Sequence, residues 1–528
     1  MAIELSDLTF TEQDDVVPVS GMEEIINNTG IANTLAGNDM INGLSRGLNL
    51  YGFRNSGTLN TGEGNDILTG IFNEPNSGFF GAIGIYNVGG IIDTGDGNDI
   101  ITGIIEGAGI NTATNGIFSV QGTIDTGDGN DIITGITQRG TGIFSQDSTI
   151  NTGDGNDTIT GTGPFYNPGI WLLRTSLDTG KGNDIITGTG YFGIYNVFGS
   201  SFNTGEDNDI ITGTGSYDAD SGILNFGFMD TGSGSDIITG NYITDDNGES
   251  NIFGIGLTNS SSIESASIDS SDGNDTITGF SDAERGEGLR NYGTINTGNG
   301  NDIISSTGKL LGIRNDGTIN TGNGQDSISS VGNAINRGVV FLGEGNDSIT
   351  VSIIADAYLP NHRALENFNT IETGDGDDII TSTGVIYNEG VINTGNGNDY
   401  IEGVDIAGLG YGIYNNDGAI NTGDGNDIII ANEGFESGPN SSGAWFLGEG
   451  EDYIKGFGSG DFYGGNGLDI LELTPGSYTV GIWGEGGESP IFTKGNQLMI
   501  TSEFEILLAG GTVYDFASLT AGQIIVVA

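Results

Sequence analysis

Aspartate, placed beside glycine at a fixed spacing, is the recurrent chemical feature of this chain. A block best written Ile-(Asn/Asp)-Thr-Gly-(acid/Asn)-Gly-Asn-Asp-Ile-Ile-Thr-Gly, as at residues 92–103, recurs over residues 31–473 of a 528-residue chain. Its last Asp stands at seventeen places: Asp39, Asp66, Asp99, Asp131, Asp157, Asp184, Asp209, Asp236, Asp275, Asp302, Asp326, Asp347, Asp378, Asp399, Asp427, Asp452 and Asp469. Gly permits left-handed backbone and exposes carbonyl oxygens, while the carboxylate supplies a hard anionic oxygen. Gly95 and Gly97, Gly127 and Gly129, Gly153 and Gly155, Gly423 and Gly425, and Gly465 and Gly467 are therefore read with the Asp residues as metal ligands. If the repeats stack at about 4.8 Å, neighbouring carboxylates repel by roughly 1 kcal/mol in water and several at an effective dielectric constant near 20. Repeated along the stack, that repulsion calls for a divalent ion between coils. With one His and no Cys in the chain, the ligands are oxygen, which selects Ca²⁺ over transition metals, and irregular carbonyl shells favour it over Mg²⁺. The expectation is multiple Ca²⁺, roughly one per gap between coils.

The elements that must position these turns follow from the spacing. The mean interval between copies is about 27 residues, a solenoid period. Two residues after each Asp stands Ile, or Leu at Leu68 and Leu471. Seven before it stands an apolar residue in most copies, as at Ile92, Leu177, Phe202, Met229 and Ile319. A third mark is a Gly-Ile-aromatic-Asn tetrad, as at residues 84–87, 193–196 and 412–415. Three short inward-facing strands per coil, β-branched residues and no helical spacing predict an all-β fold: a parallel β-helix (β-solenoid) with coils of about 27 residues. The expected division is an N-terminal cap over 1–30, calcium-binding repeats over 31–473, and a C-terminal β cap over 474–528. Long intervals at 66–99, 236–275 and 347–378 mark where loops leave the coil.

Composition restricts the function classes. With 13 Lys and Arg against 71 Asp and Glu, the net charge is −58, so nucleic acid is excluded as a partner. The absence of Cys removes disulfides and thiolate nucleophiles. No apolar run of about 18 residues occurs, which predicts no membrane-spanning helix. The first thirty residues hold no Lys or Arg and no signal-peptide core, so no secretory leader is expected.

The turn resembles the RTX, or hemolysin-type, calcium-binding nonapeptide Gly-Gly-x-Gly-x-Asp-x-(aliphatic)-x. The strict form stands at residues 464–472, and Asp452 and Asp461 precede Asp469 at nonapeptide-like steps. Elsewhere Thr replaces the first Gly, as at residues 94–102. The resemblance implies that Asp side chains, Asp461 included, and turn carbonyls of adjacent coils hold the ion, and that the coil passes into RTX-like β-roll spacing near the C-terminus. Three copies depart from the pattern: Asp207 replaces the second Gly before Asp209, Ser270 and Ser271 replace Thr-Gly before Asp275, and Leu35-Ala36 precedes Asp39. The segment from 474 is similar to RTX tails exported by type I secretion, which implies a secreted, extracellular or cell-surface protein that folds where Ca²⁺ is abundant.

Three functions are weighed. A Ca²⁺-rigidified rod with a structural, extracellular-matrix or cell-surface role needs nothing beyond the repeats. Its further partners would be extracellular polysaccharide or copies of itself. A polysaccharide-active β-helix enzyme (lyase, hydrolase or epimerase) needs a cluster that breaks the repeat. His362, and Arg285 and Arg290 near Glu284 and Glu287, are the residues that stand out, and no catalytic residue is assigned. An ice-binding solenoid would carry Thr between the two turn Gly residues, a place that holds Asp, Glu, Asn, Lys, Ser or Ala and never Thr. The Thr after Ile-Ile, as at Thr102, Thr134 and Thr187, is read as a strand-face residue.

Overall fold

The computed structural model describes the whole chain except residues 1, 19–24, 47–49, 74–80, 107–113, 165, 217–220, 245–254, 261–265, 354–362, 407, 439–442 and 485–488. The protein is all-β and winds as a parallel β-helix. Among the described residues the helical elements are two short 3-10 turns, Leu5–Asp7 and Phe516–Ser518, and no helix is long and apolar enough to cross a membrane. Two compact units divide the chain, Met1–Asn296 and Thr297–Ala528. Nine of the seventeen Asp turns lie in the first and eight in the second.

One coil illustrates the rest. Strands Ile83–Val88, Ile91–Asp93 and Ile100–Glu106 each pair in parallel with their counterparts above and below. Ile92 lies opposite Leu59 and Ile124, Ile101 opposite Leu68 and Ile133, and Ile85 opposite Phe53 and Ile117. All nine side chains are buried. The three apolar marks of the repeat are thus three continuous columns, each member contributing roughly 1.5–3 kcal/mol by burial. Gly103 sits on the inner side of its strand, where an added Cβ would meet the Gly116 carbonyl oxygen at 2.2 Å. Two strands of the coil run backbone against backbone there, and only Gly leaves room.

The tetrad Asn residues form a buried amide ladder. In the first unit Asn28 Nδ2 donates to Asn55 Oδ1 at 3.0 Å and Asn55 Nδ2 to Asn87 Oδ1 at 2.9 Å. Ser119, Ser145 and Leu172 hold the next places, and the ladder resumes from Asn196 to Asn225, Asn259 and Asn291. In the second unit it runs from Asn315 through Asn336, Asn367 and Asn388 to Asn415. The second amide hydrogen reaches a backbone carbonyl, as from Asn55 to Ile91 O at 2.9 Å.

At its start the first unit already carries part of a coil within residues 1–30: Ala2–Glu4 pairs with residues 25–27, and Val16–Val17 with residues 40–41. In the second unit the interval from Asp452 to Asp469 tightens to 17 residues. Beyond it, strands Gly476–Trp483, Ser489–Lys494, Gln497–Ser502 and Ile524–Val527 turn antiparallel. Gln497–Ser502 also pairs in parallel with Gly460–Gly467, so this segment covers the last coil. His362 and the loop around residues 74–76 lie outside the described residues.

Candidate metal centre

The Asp turn is built from backbone that only a few residue types can adopt. In the coil of Asp99, Gly95 and Gly97 have φ of +79° and +149°. An added Cβ would meet the carbonyl oxygens of Gly62 and Gly64 below at 1.8 and 1.6 Å. The same contact recurs at Gly127 and Gly129, Gly153 and Gly155, Gly423 and Gly425, and Gly465 and Gly467. Successive turns therefore stack directly on one another. The first and third residues of Asp96-Gly97-Asn98 are exposed, whereas Asp99 is fully buried.

Two side-chain ladders of opposite direction join the turns. The backbone N–H of Asp66 donates to Asp99 Oδ1 at 2.7 Å, so each Asp carboxyl clamps the turn before it. The backbone N–H of Asn98 donates to Asn65 Oδ1 at 2.7 Å, so each turn Asn clamps the turn after it. In the first unit the Asp ladder runs unbroken from Asp39 through Asp66, Asp99, Asp131, Asp157, Asp184, Asp209 and Asp236 to Asp275. In the second it runs from Asp302 through Asp326, Asp347, Asp378, Asp399, Asp427 and Asp452 to Asp469. All seventeen repeat Asp residues are at most 2% exposed.

Asp461 does not join them. It lies in strand Gly460–Gly467 opposite Ala444 and Ile500, its N–H bonded to Gly443 O. Packing of Phe462 against Trp445, with ring centroids 4.2 Å apart, sets that register, which puts Asp461 at the place Ala444 holds one coil earlier and leaves the turn position to Asp469. The three weak turns keep the ladder. Leu35, Asp207 and Ser271 take φ of +77°, +83° and +55°, doing what Gly does elsewhere. A non-Gly residue there is strained by roughly 1–2 kcal/mol.

Both ends of the ladder use residues that carry no repeat signature. Asp15 donates its N–H to Asp39 Oδ1 at 2.7 Å, and Asp14 Oδ1 accepts from Asn38 N at 2.8 Å. Residues 11–15 thus form a turn without glycine, its signal in the sequence being an Asp pair 24 residues before Asn38-Asp39. At the other end Glu505 Oε2 accepts from Asp469 N at 2.9 Å, which no spacing rule announces.

The electrostatics of the ladder are unusual. In Asp66, Asp99, Asp131, Asp157, Asp184, Asp209 and Asp236, and in Asp326, Asp347, Asp378, Asp399, Asp427 and Asp452, Oδ1 is hydrogen-bonded, but Oδ2 is buried with no partner of hydrogen-bonding geometry. The turn's own Thr hydroxyl lies beside the carboxyl and pulls its pKa down against the effect of burial, as Thr94 does for Asp99, while Thr34, Thr61 and Thr422 also donate to the next turn's carbonyl at 2.9–3.1 Å. Burial is the main cause of strongly raised pKa values. Asp209 is pushed to about 8, Asp99, Asp131, Asp157, Asp347 and Asp452 to about 7, and Asp66, Asp184, Asp236, Asp326, Asp378, Asp427 and Asp469 to about 6. Neighbouring ladder carboxylates add to the rise, as Asp131 and Asp66 do for Asp99.

A buried carboxylate with an open oxygen needs a proton or a cation. The donors fit a hard cation, being oxygen throughout. Among the described residues no three acidic or imidazole groups converge on one point, so an ion here would take one or two carboxylates and complete its shell with backbone oxygen. Elsewhere, Arg290 Nε pairs with Glu287 Oε2 at 2.7 Å, a local ion pair rather than an open clamp. In the second unit a cleft of about 730 Å³ holds Asp461 and Glu436, the latter bonded by Gln497 at 3.1 Å.

No family model matches this chain, and no curated protein matches it. Among solved structures it is similar to the X-ray crystal structure of a hyperactive, Ca²⁺-dependent, beta-helical antifreeze protein from an Antarctic bacterium. That likeness has 19% identity and a TM-score of 0.30, covering 70% of this chain and 83% of that one.

Proposed function

We propose that the chain is a secreted, RTX-like calcium-binding solenoid whose ions lie along the Asp ladder, roughly one per gap between coils, and stiffen it for a structural, matrix or cell-surface role. The observation that carries this reading is the row of buried Oδ2 atoms from Asp66 to Asp236 and from Asp326 to Asp452, none with a partner of hydrogen-bonding geometry and none beside a cationic side chain. A proton satisfies one such oxygen only at the expense of its charge. A divalent ion satisfies two neighbours and cancels their repulsion, so binding and folding are coupled. The ligands are the seventeen repeat Asp residues with backbone oxygens of the turn glycines, and Asp461 is left out because its strand register removes it from the turn. Export by type I secretion fits a chain that folds only on meeting Ca²⁺.

The test is isothermal titration of chelator-treated protein with Ca²⁺, followed in parallel by far-UV circular dichroism. Uptake of several ions per chain with a gain of β signal is expected. A β spectrum and a melting temperature indifferent to Ca²⁺ overturn the proposal.

A further inference from the structure

In a chain of net charge −58, three adjacent columns of side chains on one face of the first unit carry no charge among the described residues. The uncharged part is formed by the first, third and fifth residues of the strands that follow each Asp from Asp66 to Asp275, which point outward, while Glu106 at the seventh place of its strand marks its charged rim. The first column runs Ile67, Ile100, Ile132, Thr158, Ile185, Ile210, Ile237 and Thr276 in unbroken parallel register. The second column is Thr at all eight levels, from Thr69 to Thr278, and the third is Ile, Thr, Asn or Phe, from Ile71 to Phe280. Ile185, Ile210 and Ile237 are 43%, 38% and 40% exposed. Behind the face, Gly103 and its equivalents hold two strands backbone to backbone, so it is backed rigidly. In the second unit the middle column is Ser or Thr through Ser305, Ser329, Thr350 and Thr381 and then becomes charged, with Glu402 directly beside Thr381 and Lys455 and Glu472 further on.

We propose that this Ile/Thr face binds the same face of a second copy of the chain. Charge argues for that occupant, because two such polyanions repel on every acidic surface and can approach closely where charge is absent. Area argues for it as well. Eight levels at about 4.8 Å and three outward positions at about 6.8 Å cover roughly 800 Å² per partner, the size a stable interface needs. β-branched side chains already fixed by their strand lose little freedom on pairing. The acidic turn column borders the face on one edge, since Asp96 and Asp128 precede Ile100 and Ile132 by four residues. A two-fold axis parallel to the coil stack puts the two acidic edges on opposite sides, and that arrangement is the one assigned.

The experiment is sedimentation velocity on the full chain in calcium buffer across about 1–100 µM, for the wild type, Thr187→Lys and, as a control in the second unit, Thr381→Lys. The wild type is expected to dimerise, more strongly at higher salt as repulsion is screened. Thr187→Lys is expected to weaken the dimer at least about a hundredfold by burying an unpaired charge, with an unchanged β spectrum, and Thr381→Lys to leave it intact. A wild type monomeric throughout, a dimer untouched by Thr187→Lys, or one equally broken by Thr381→Lys overturns the proposal. So does a monomer that instead binds crystalline polysaccharide or ice in a Thr187-dependent way. Because association is read in calcium and the calcium dependence by dichroism in chelator, the two readings fail separately.

Discussion

Two buried polar ladders run along the solenoid, and they meet the same problem with different chemistry. The Asn ladder is neutral, and each amide has both donor and acceptor, so Asn225 receives from Asn196 and gives to Asn259 and to Ser267 O. Its open atoms fall where a run begins, at Oδ1 of Asn28 and of Asn196, the latter following Leu172. The Asp ladder has acceptors only. From Asp66 to Asp236 and from Asp326 to Asp452 each carboxyl takes one backbone N–H and leaves its other oxygen buried with no partner of hydrogen-bonding geometry. An amide column therefore closes on itself, whereas a carboxylate column is incomplete until something positive enters it.

The largest test of that contrast is removal of calcium at pH 7.5. The Asp corner should loosen in every coil, with the melting temperature falling by at least about 10 °C in differential scanning calorimetry. The Asn corner contributes nothing to that change.

Next comes pH in the presence of chelator. The folded-state pKa values of about 6 to 8 lie above the ordinary Asp value of 3.8. Without metal, stability is thus greatest below about pH 4, where folded and unfolded chains are both protonated, and is lost as pH rises through the folded pKa values. With calcium the slope should reverse, because the ion binds the deprotonated carboxyls. Urea unfolding at pH 4, 6 and 8 with and without Ca²⁺ reads both signs.

Exchanging the two chemistries is the third test. Asn225→Asp places an acceptor against the Asn259 and Ser267 oxygens and should destabilise the fold by about 3–5 kcal/mol in urea melts. Asp131→Asn keeps the acceptor for Asp99 N–H and converts the open oxygen to a donor. In chelator it should be neutral or stabilising by about 1 kcal/mol, while in calcium it should lower the bound-ion count by one or two in titration. The smallest effect is at Leu35, held at φ +77°: Leu35→Gly should raise stability by about 0.5–1 kcal/mol without changing the ion count.

Much of this was readable from residue types and offsets. The three apolar columns follow from side chains at Ile92, Ile101 and Ile85 that must leave water, and a repeat that places them at constant offsets has one way to stack. The register of the seventeen Asp residues follows from the same spacing. Other features were not legible. Whether Asp99 faces solvent or the interior depends on the turn's path over Gly62 and Gly64, a contact between residues 33 apart. The turn Asn ladder through Asn65 and Asn98 looked like simple turn preference, since Asn favours turns on its own account. Asp461 matched a spacing rule but lies in a strand, because the burial of Phe462 under Trp445 outweighs a local motif. Asp15 and Glu505 complete the ladder from segments with no repeat pattern.

Composition and periodicity settled the period, the all-β class, the parallel stacking and the excess of carboxylate, since each rests on local preference or on apolar residues seeking burial. The tertiary arrangement settled which oxygen of each carboxylate is bonded and which is left open, where the uncharged face lies, and which residues end the ladder. Those outcomes depend on contacts between coils, and a hydrogen bond from Asp66 to Asp99 exists only once the two turns have been stacked.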